Sequence, residues 1–154
     1  MKYDFELEIL APRDRVIELF DNPQNPLIWQ PTLLRFEHLS GEPGQPGSTS
    51  RLVYRRGSGE FEIIETITAR NLPDSSSGTY DTNVGTTLIQ NRFVDHGEST
   101  IWQLETDYTP GGIMRLLFPF MRGMIEKQTR TTAQQFKAFV EMQPANGGSI
   151  EVSP

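Results

Sequence analysis

The sequence predicts one α+β domain in which a curved antiparallel sheet of about seven strands wraps a long C-terminal helix around a ligand-sized cavity. Three observations predict it. Residues 2–9 alternate charged and apolar side chains, the period of a half-buried strand. Residues 33–109 are a run of strand-like segments separated by turn residues, which reads as a meander of hairpins. After Pro110-Gly111-Gly112 the apolar spacing changes to three and four residues, the period of a helix.

The elements follow in order. Tyr3, Phe5, Leu7 and Ile9 share one face of the first strand, and Ala11-Pro12 ends it. Arg13 to Phe20 reads as a short helix burying Val16, Ile17, Leu19 and Phe20, with Pro12 near its first turn. Asn25-Pro26 and Pro31 leave room for a second short helix carrying Leu27, Ile28 and Trp29. Strands are expected at 33–40, 49–56, 60–70, 79–82, 86–94 and 99–108, with the serines after Asp74 in a connection. In the last helix, Leu117, Met121, Met124, Ile125, Gln128, Thr132, Phe136 and Phe139 are expected to share one stripe, and the helix ends near Met142. The domain is read as residues 1–143, followed by a flexible tail at 144–154.

Composition narrows the function classes. At 154 residues the chain suits one domain with one core. The net charge of −6 and the scattered Lys and Arg disfavour nucleic acid as a partner, because phosphates need clustered cations. The chain has no cysteine, hence no disulfide and no thiolate chemistry. With two histidines, a metal site is not expected. No apolar run approaches the ~20 residues of a membrane span, so no stable membrane insertion is expected. The N-terminus lacks the apolar core of a signal peptide, which points to a cytoplasmic protein. No nucleophile elbow, phosphate loop or dinucleotide fingerprint occurs, and no cofactor is expected.

Several local patterns carry a resemblance. They are Ala11-Pro12 followed by Val16 and Phe20; Trp29-Gln30-Pro31 before Leu33 and Leu34; Gly44-Gln45-Pro46-Gly47-Ser48; and Pro110-Gly111-Gly112 with the 116–121 and 136–141 runs. Together with the element order, they resemble the START-like superfamily, also called SRPBCC, the clan of polyketide cyclases and lipid carriers. The resemblance spans Tyr3 to about Glu141. It implies a helix-grip fold and an apolar or amphipathic small molecule held between sheet and helix. Its members differ widely in activity, so the fold alone does not assign one.

Hairpin arithmetic selects the side chains that face the helix, because opposed residues of an antiparallel pair share a face. A turn at Gly57-Ser58-Gly59 sets Leu52 against Ile63 and Tyr54 against Phe61. A turn around His96-Gly97 sets Phe93 against Thr100, Asn91 against Trp102 and Ile89 against Leu104. The expected ligand wall is therefore Leu52, Tyr54, Phe61, Ile63, Glu65, Ile89, Asn91, Phe93, Trp102 and Tyr108 on the sheet. Trp29 stands near the mouth, and Leu117, Met121, Met124, Gln128 and Thr132 line the helix side.

Three polar residues are catalytic candidates: Glu65, His38 and Asn91. An inward carboxylate is costly unless paired or neutral. The alternative is a β-bulge that turns Glu65 outward. His38 serves either as a general base or as a hydrogen-bonded structural group. Asn91 either orients a ligand or satisfies a neighbour. The leading function is binding, transport or sequestration of a hydrophobic small molecule or lipid. The alternatives are a cofactor-free cyclase-, dehydratase- or isomerase-like enzyme and a protein-interaction module. The sequence carries no signal of the oligomeric state.

Overall fold

A computed structural model describes residues 1–143. Its elements are β1 (Lys2–Ile9), α1 (Arg13–Phe20), α2 (Pro26–Trp29), β2 (Leu33–Ser40), β3 (Thr49–Arg56), β4 (Gly59–Asn71), β5 (Ser75–Thr82), β6 (Gly85–His96), β7 (Ser99–Pro110) and α3 (Met114–Met142). The seven strands form one antiparallel sheet in the order β1-β7-β6-β5-β4-β3-β2. This is the helix-grip arrangement expected from the sequence. The expected tail, 144–154, lies outside the described residues. Among the described residues, no helix is long and apolar enough to cross a membrane.

The core sits at one end of the sheet. Phe136, Phe139, Val140 and Ala133 of α3 pack on Ile9, Phe93, Trp102 and Leu104, with Val16 and Leu19 of α1 closing that end. Phe136 is its centre. Its ring meets Phe20 at 5.9 Å, Trp29 at 5.4 Å and Trp102 at 5.4 Å, each edge to face. Such contacts add to the area each ring buries. Thr100, fully buried, donates from Oγ1 to the Ala11 carbonyl at 2.8 Å and ties the β1–α1 corner to β7.

Three details differ from the sequence expectation. β5 begins at Ser75, so the serine run is strand. Serine favours strands weakly, but pairing with β4 on one side and β6 on the other recruits it. The β6–β7 turn is tighter than expected, with Gly97-Glu98 between the paired His96 and Ser99. Phe93 therefore pairs with Trp102, Asn91 with Leu104 and Ile89 with Thr106. The slip is two residues, an even number, so every side chain keeps its expected face. The third difference is the phase of α3. Its sheet-facing stripe is Met114, Phe118, Met121, Ile125, Thr129, Ala133, Phe136 and Val140, all buried or half-buried. Leu117, Met124 and Gln128, expected in that stripe, are exposed on its flank. The spacing of three and four fits either row, and only the docking of α3 on the sheet selects one.

Candidate ligand-binding cleft

The flank of α3 has a definite direction. Tyr3 of β1 shares a 2.7 Å hydrogen bond with Thr129, and Arg130 lies over the Phe5 ring at 4.7 Å. Tyr108 of β7 meets Phe118 at 5.2 Å. These contacts put β1 on one side of the helix. At roughly 100° per residue, Leu117, Met124 and Gln128 fall on the other side, toward β6, β5, β4 and β3. Close backbone approaches join α3 to β1, β7 and α2, and none comparable joins it to β3, β4 or β5.

Opposite that flank stands the inward row of β3 to β6: Tyr54, Phe61, Ile63, Glu65, Ile67, Tyr80, Thr87 and Ile89. All are half-buried, with a solvent-facing edge. Row and flank are therefore the candidate walls of a ligand cleft, left partly open to solvent, where the sequence predicts a cavity. Its helix side is apolar. Met124 is 60% exposed and Phe120 88%, with Ile113, Leu116 and Leu117 on the same first turns.

Not all of the expected wall reaches this space. Leu52, Phe93, Trp102 and Tyr108 are buried by protein. Trp29 is spent against Phe136 in the core. Met121 and Thr132, on different turns of α3, are half-buried. The residues with surface to offer are Tyr54, Phe61, Ile63, Glu65 and Ile89 on the sheet, and Leu117, Met124 and Gln128 on the helix.

Glu65 points inward. It pairs with Ser50 and Tyr80, while Ile64 pairs with Arg51 and Asp81 on the outer face. A bulge does interrupt β4, but between Ile67 and Ala69, too late to turn Glu65 out. It instead swings Arg70 to the inner side, where its guanidinium grips Asp21 at the end of α1 with two 2.6 Å hydrogen bonds. Burial raises the Glu65 carboxyl above its ordinary pKa, and a hydrogen bond with Tyr80 offsets part of the rise. Burial, together with the Glu65 charge, pushes both the Tyr80 and Tyr54 hydroxyls upward. Tyr54 donates its own proton to Gln30 Oε1 at 2.7 Å.

The other two candidates lie apart from this group. Asn91 is buried and accepts the Trp102 indole N–H at 3.0 Å, so its oxygen satisfies a neighbour. His38 is exposed on the edge strand β2, with Nε2 2.8 Å from the Gly41 carbonyl of its own loop. That is the structural role, and the register sets His38 at the exposed edge of the row that runs through Ser50 to Glu65. Tyr80 and Gln30 were not foreseen. Finding Tyr80 required the β4–β5 register, which the bulge and the serine-rich connection concealed.

Two depressions elsewhere are polar. One of about 190 Å³ lies on the outer sheet face among Ser75, Ser77, Gln90, Arg92, Gln103 and Glu105. Another of about 350 Å³ lies between Arg13, Asp74, Arg92 and Asp95. Neither offers the apolar walls that small-molecule sites favour. Among the described residues, no group of three or more His, Asp and Glu is placed to hold a metal ion.

No family model and no curated protein matches the sequence. Solved structures match the fold closely. A START superfamily protein from Mycobacterium smegmatis superposes with a TM-score of 0.75 at 14% identity, over 93% of this chain and 99% of that one. The chain has the START-like fold. The Zhui aromatase/cyclase from a Streptomyces species also gives 0.75 at 14% identity, over 96% and 98% of the two chains. Norcoclaurine synthase from Thalictrum flavum, solved in complex with dopamine and hydroxybenzaldehyde, gives 0.68 at 14% identity, over 95% and 89%. At such identities the START-like likeness is one of fold, and ligand and chemistry rest on this chain's own residues.

Proposed function

We propose that this protein binds a hydrophobic small molecule in the cleft between α3 and the inward row of β3 to β6. One observation carries the reading. The half-buried row of Tyr54, Phe61, Ile63 and Ile89 lies on the sheet face turned toward α3, and Leu117 and Met124 of that helix stay exposed among the described residues. Apolar surface left open on both walls is stabilised by an apolar guest, at roughly 25 cal/mol per Å² removed from water. The exposed Leu116 and Phe120 add apolar surface to the same end of α3. The aromatase/cyclase and synthase neighbours act on or hold small organic molecules by their names, which agrees with this use of the fold.

Native mass spectrometry of gently purified protein, with titration of the neutral dye Nile red, tests the reading. The expected results are an organic adduct, or saturable dye binding that weakens when Ile63→Asp places a charge on the wall. Protein that carries no adduct and binds no dye overturns it.

A second reading is acid/base catalysis on the bound molecule, favoured by Glu65 with its raised pKa beside two tyrosines. Asn91 is committed to Trp102 and His38 lies at the exposed edge, which leaves Glu65 without a second acid or base from that set. Binding therefore ranks first.

A further inference from the structure

Resting on the binding reading, we propose that the ligand carries a protonated amine, seated on the Glu65 carboxylate, with its apolar body along the cleft. The argument is one of unmatched polarity. Glu65 stands on an inward row whose other members from Phe61 to Ile67 are apolar or uncharged. Among the described residues it forms no ion pair, and its partner is the neutral Tyr80 hydroxyl.

Of the basic side chains of the neighbouring strands, Arg55 lies on the outer face opposite Glu60, and the others are engaged elsewhere. Arg51 pairs with Glu37 and Glu62, Arg56 lies over the Phe61 ring, and Arg70 holds Asp21. Tyr54 gives its proton to Gln30 and has none for Glu65. The polar spot at Glu65 thus accepts hydrogen bonds. Among the described residues Arg56, on its wall, stands opposite Gly59, six residues along β4 from Glu65, and is engaged with Phe61.

A buried carboxylate without a counter-charge is costly, and a ligand ammonium supplies both the charge and the donors. The stacked Tyr54 and Phe61 rings, 5.2 Å apart on the same wall, give the apolar body of such a ligand an aromatic surface. A ligand carboxylate or phosphate meets only repulsion here. The cleft therefore selects apolar amines over fatty acids and phosphorylated lipids.

The experiment measures displacement of Nile red by decylamine, decanol and decanoate, which share one chain and differ in head group. Wild type is expected to bind the amine about tenfold more tightly than the alcohol, and decanoate least. Glu65→Gln is expected to equalise amine and alcohol, while Glu42→Gln, the same charge change on an exposed loop, keeps the preference. Wild-type protein supplies an independent arm. The titratable groups on the Glu65 face are Tyr80 from β5 and Tyr54 from β3, both raised far above it, and His38 at the edge of the same row on β2, so the pH arm is repeated in His38→Gln. The amine preference is therefore expected to vanish as pH falls toward 4.5, the ordinary value of Glu65. Equal binding of all three head groups, tighter binding of decanoate, or an amine preference that survives Glu65→Gln overturns the inference and leaves the cleft reading standing. Failure of all three compounds to bind overturns the cleft reading itself.

Discussion

Tyr80 stands directly opposite Glu65 across the β4–β5 pair, close enough for its hydroxyl to offset part of the rise that burial imposes on the Glu65 carboxyl. Both side chains lie on the sheet face turned toward α3, densely surrounded by protein yet edged by solvent. A hydroxyl is a modest partner for a carboxylate, so the burial cost is met only in part.

That shortfall makes stability depend on pH. Burial holds the native Glu65 carboxyl above its ordinary 4.5, so the folded chain keeps the proton more tightly than the unfolded one. Its contribution is complete below 4.5 and is lost as pH climbs through the raised native value. Glu65→Gln removes the loss. Urea unfolding across this range should show the variant gaining on wild type as pH rises, then holding a constant advantage. An advantage that shrinks with rising pH contradicts a buried Glu65.

The Asn91–Trp102 bond is structural in the same geometry. Asn91→Leu strands the buried indole N–H, at a cost of about 1–3 kcal/mol. Adding Trp102→Phe removes the stranded donor. The double variant should therefore be more stable than the sum of the two single losses, by chemical denaturation. Simple additivity would mean that the bond carries no coupling.

Two phenylalanines of α3 separate core from cleft. Phe136→Ala empties the meeting point of Phe20, Trp29 and Trp102 and should cost about 3–5 kcal/mol in unfolding free energy. Phe120 is 88% exposed, so Phe120→Ala should stay within about 0.5 kcal/mol. Dye binding should reverse the contrast, with slower uptake in Phe120→Ala. Unchanged uptake would leave Phe120 without a part in binding.

Two glycines predict opposite signs. A Cβ on Gly85, at φ +146°, would lie 2.4 Å from the Thr109 carbonyl oxygen. Gly85→Ala should therefore destabilise by about 2 kcal/mol or more. Gly123 lies in α3 with open space around its Cβ position, and Gly123→Ala should stabilise by about 0.5–1 kcal/mol. Thermal unfolding distinguishes them, and a stabilising Gly85→Ala would contradict the β5–β6 turn geometry.

Much of this was legible in the chain because the signals are local. The alternation of Tyr3, Phe5, Leu7 and Ile9 marks β1, and the Gly57-Ser58-Gly59 turn sets Leu52 opposite Ile63, as found. The β6–β7 register was misplaced by two residues, yet Ile89, Asn91, Phe93 and Trp102 kept their faces because strand side chains repeat every two. Tyr80 stayed hidden because its position depends on a bulge that no residue type announces.

The fold class, the strand and helix order, and the inward faces of β1 and of the β3–β4 and β6–β7 hairpins near their turns follow from periodicity and turn chemistry in the chain alone. Tertiary structure alone decided the rest. The docking of α3 onto β1 and β7 chose which of two equally spaced rows is buried, and turned Leu117 and Met124 toward open space. The position of one bulge kept Glu65 inward beside Tyr80. Both outcomes depend on how distant segments pack, and that energy is absent from any local stretch of chain.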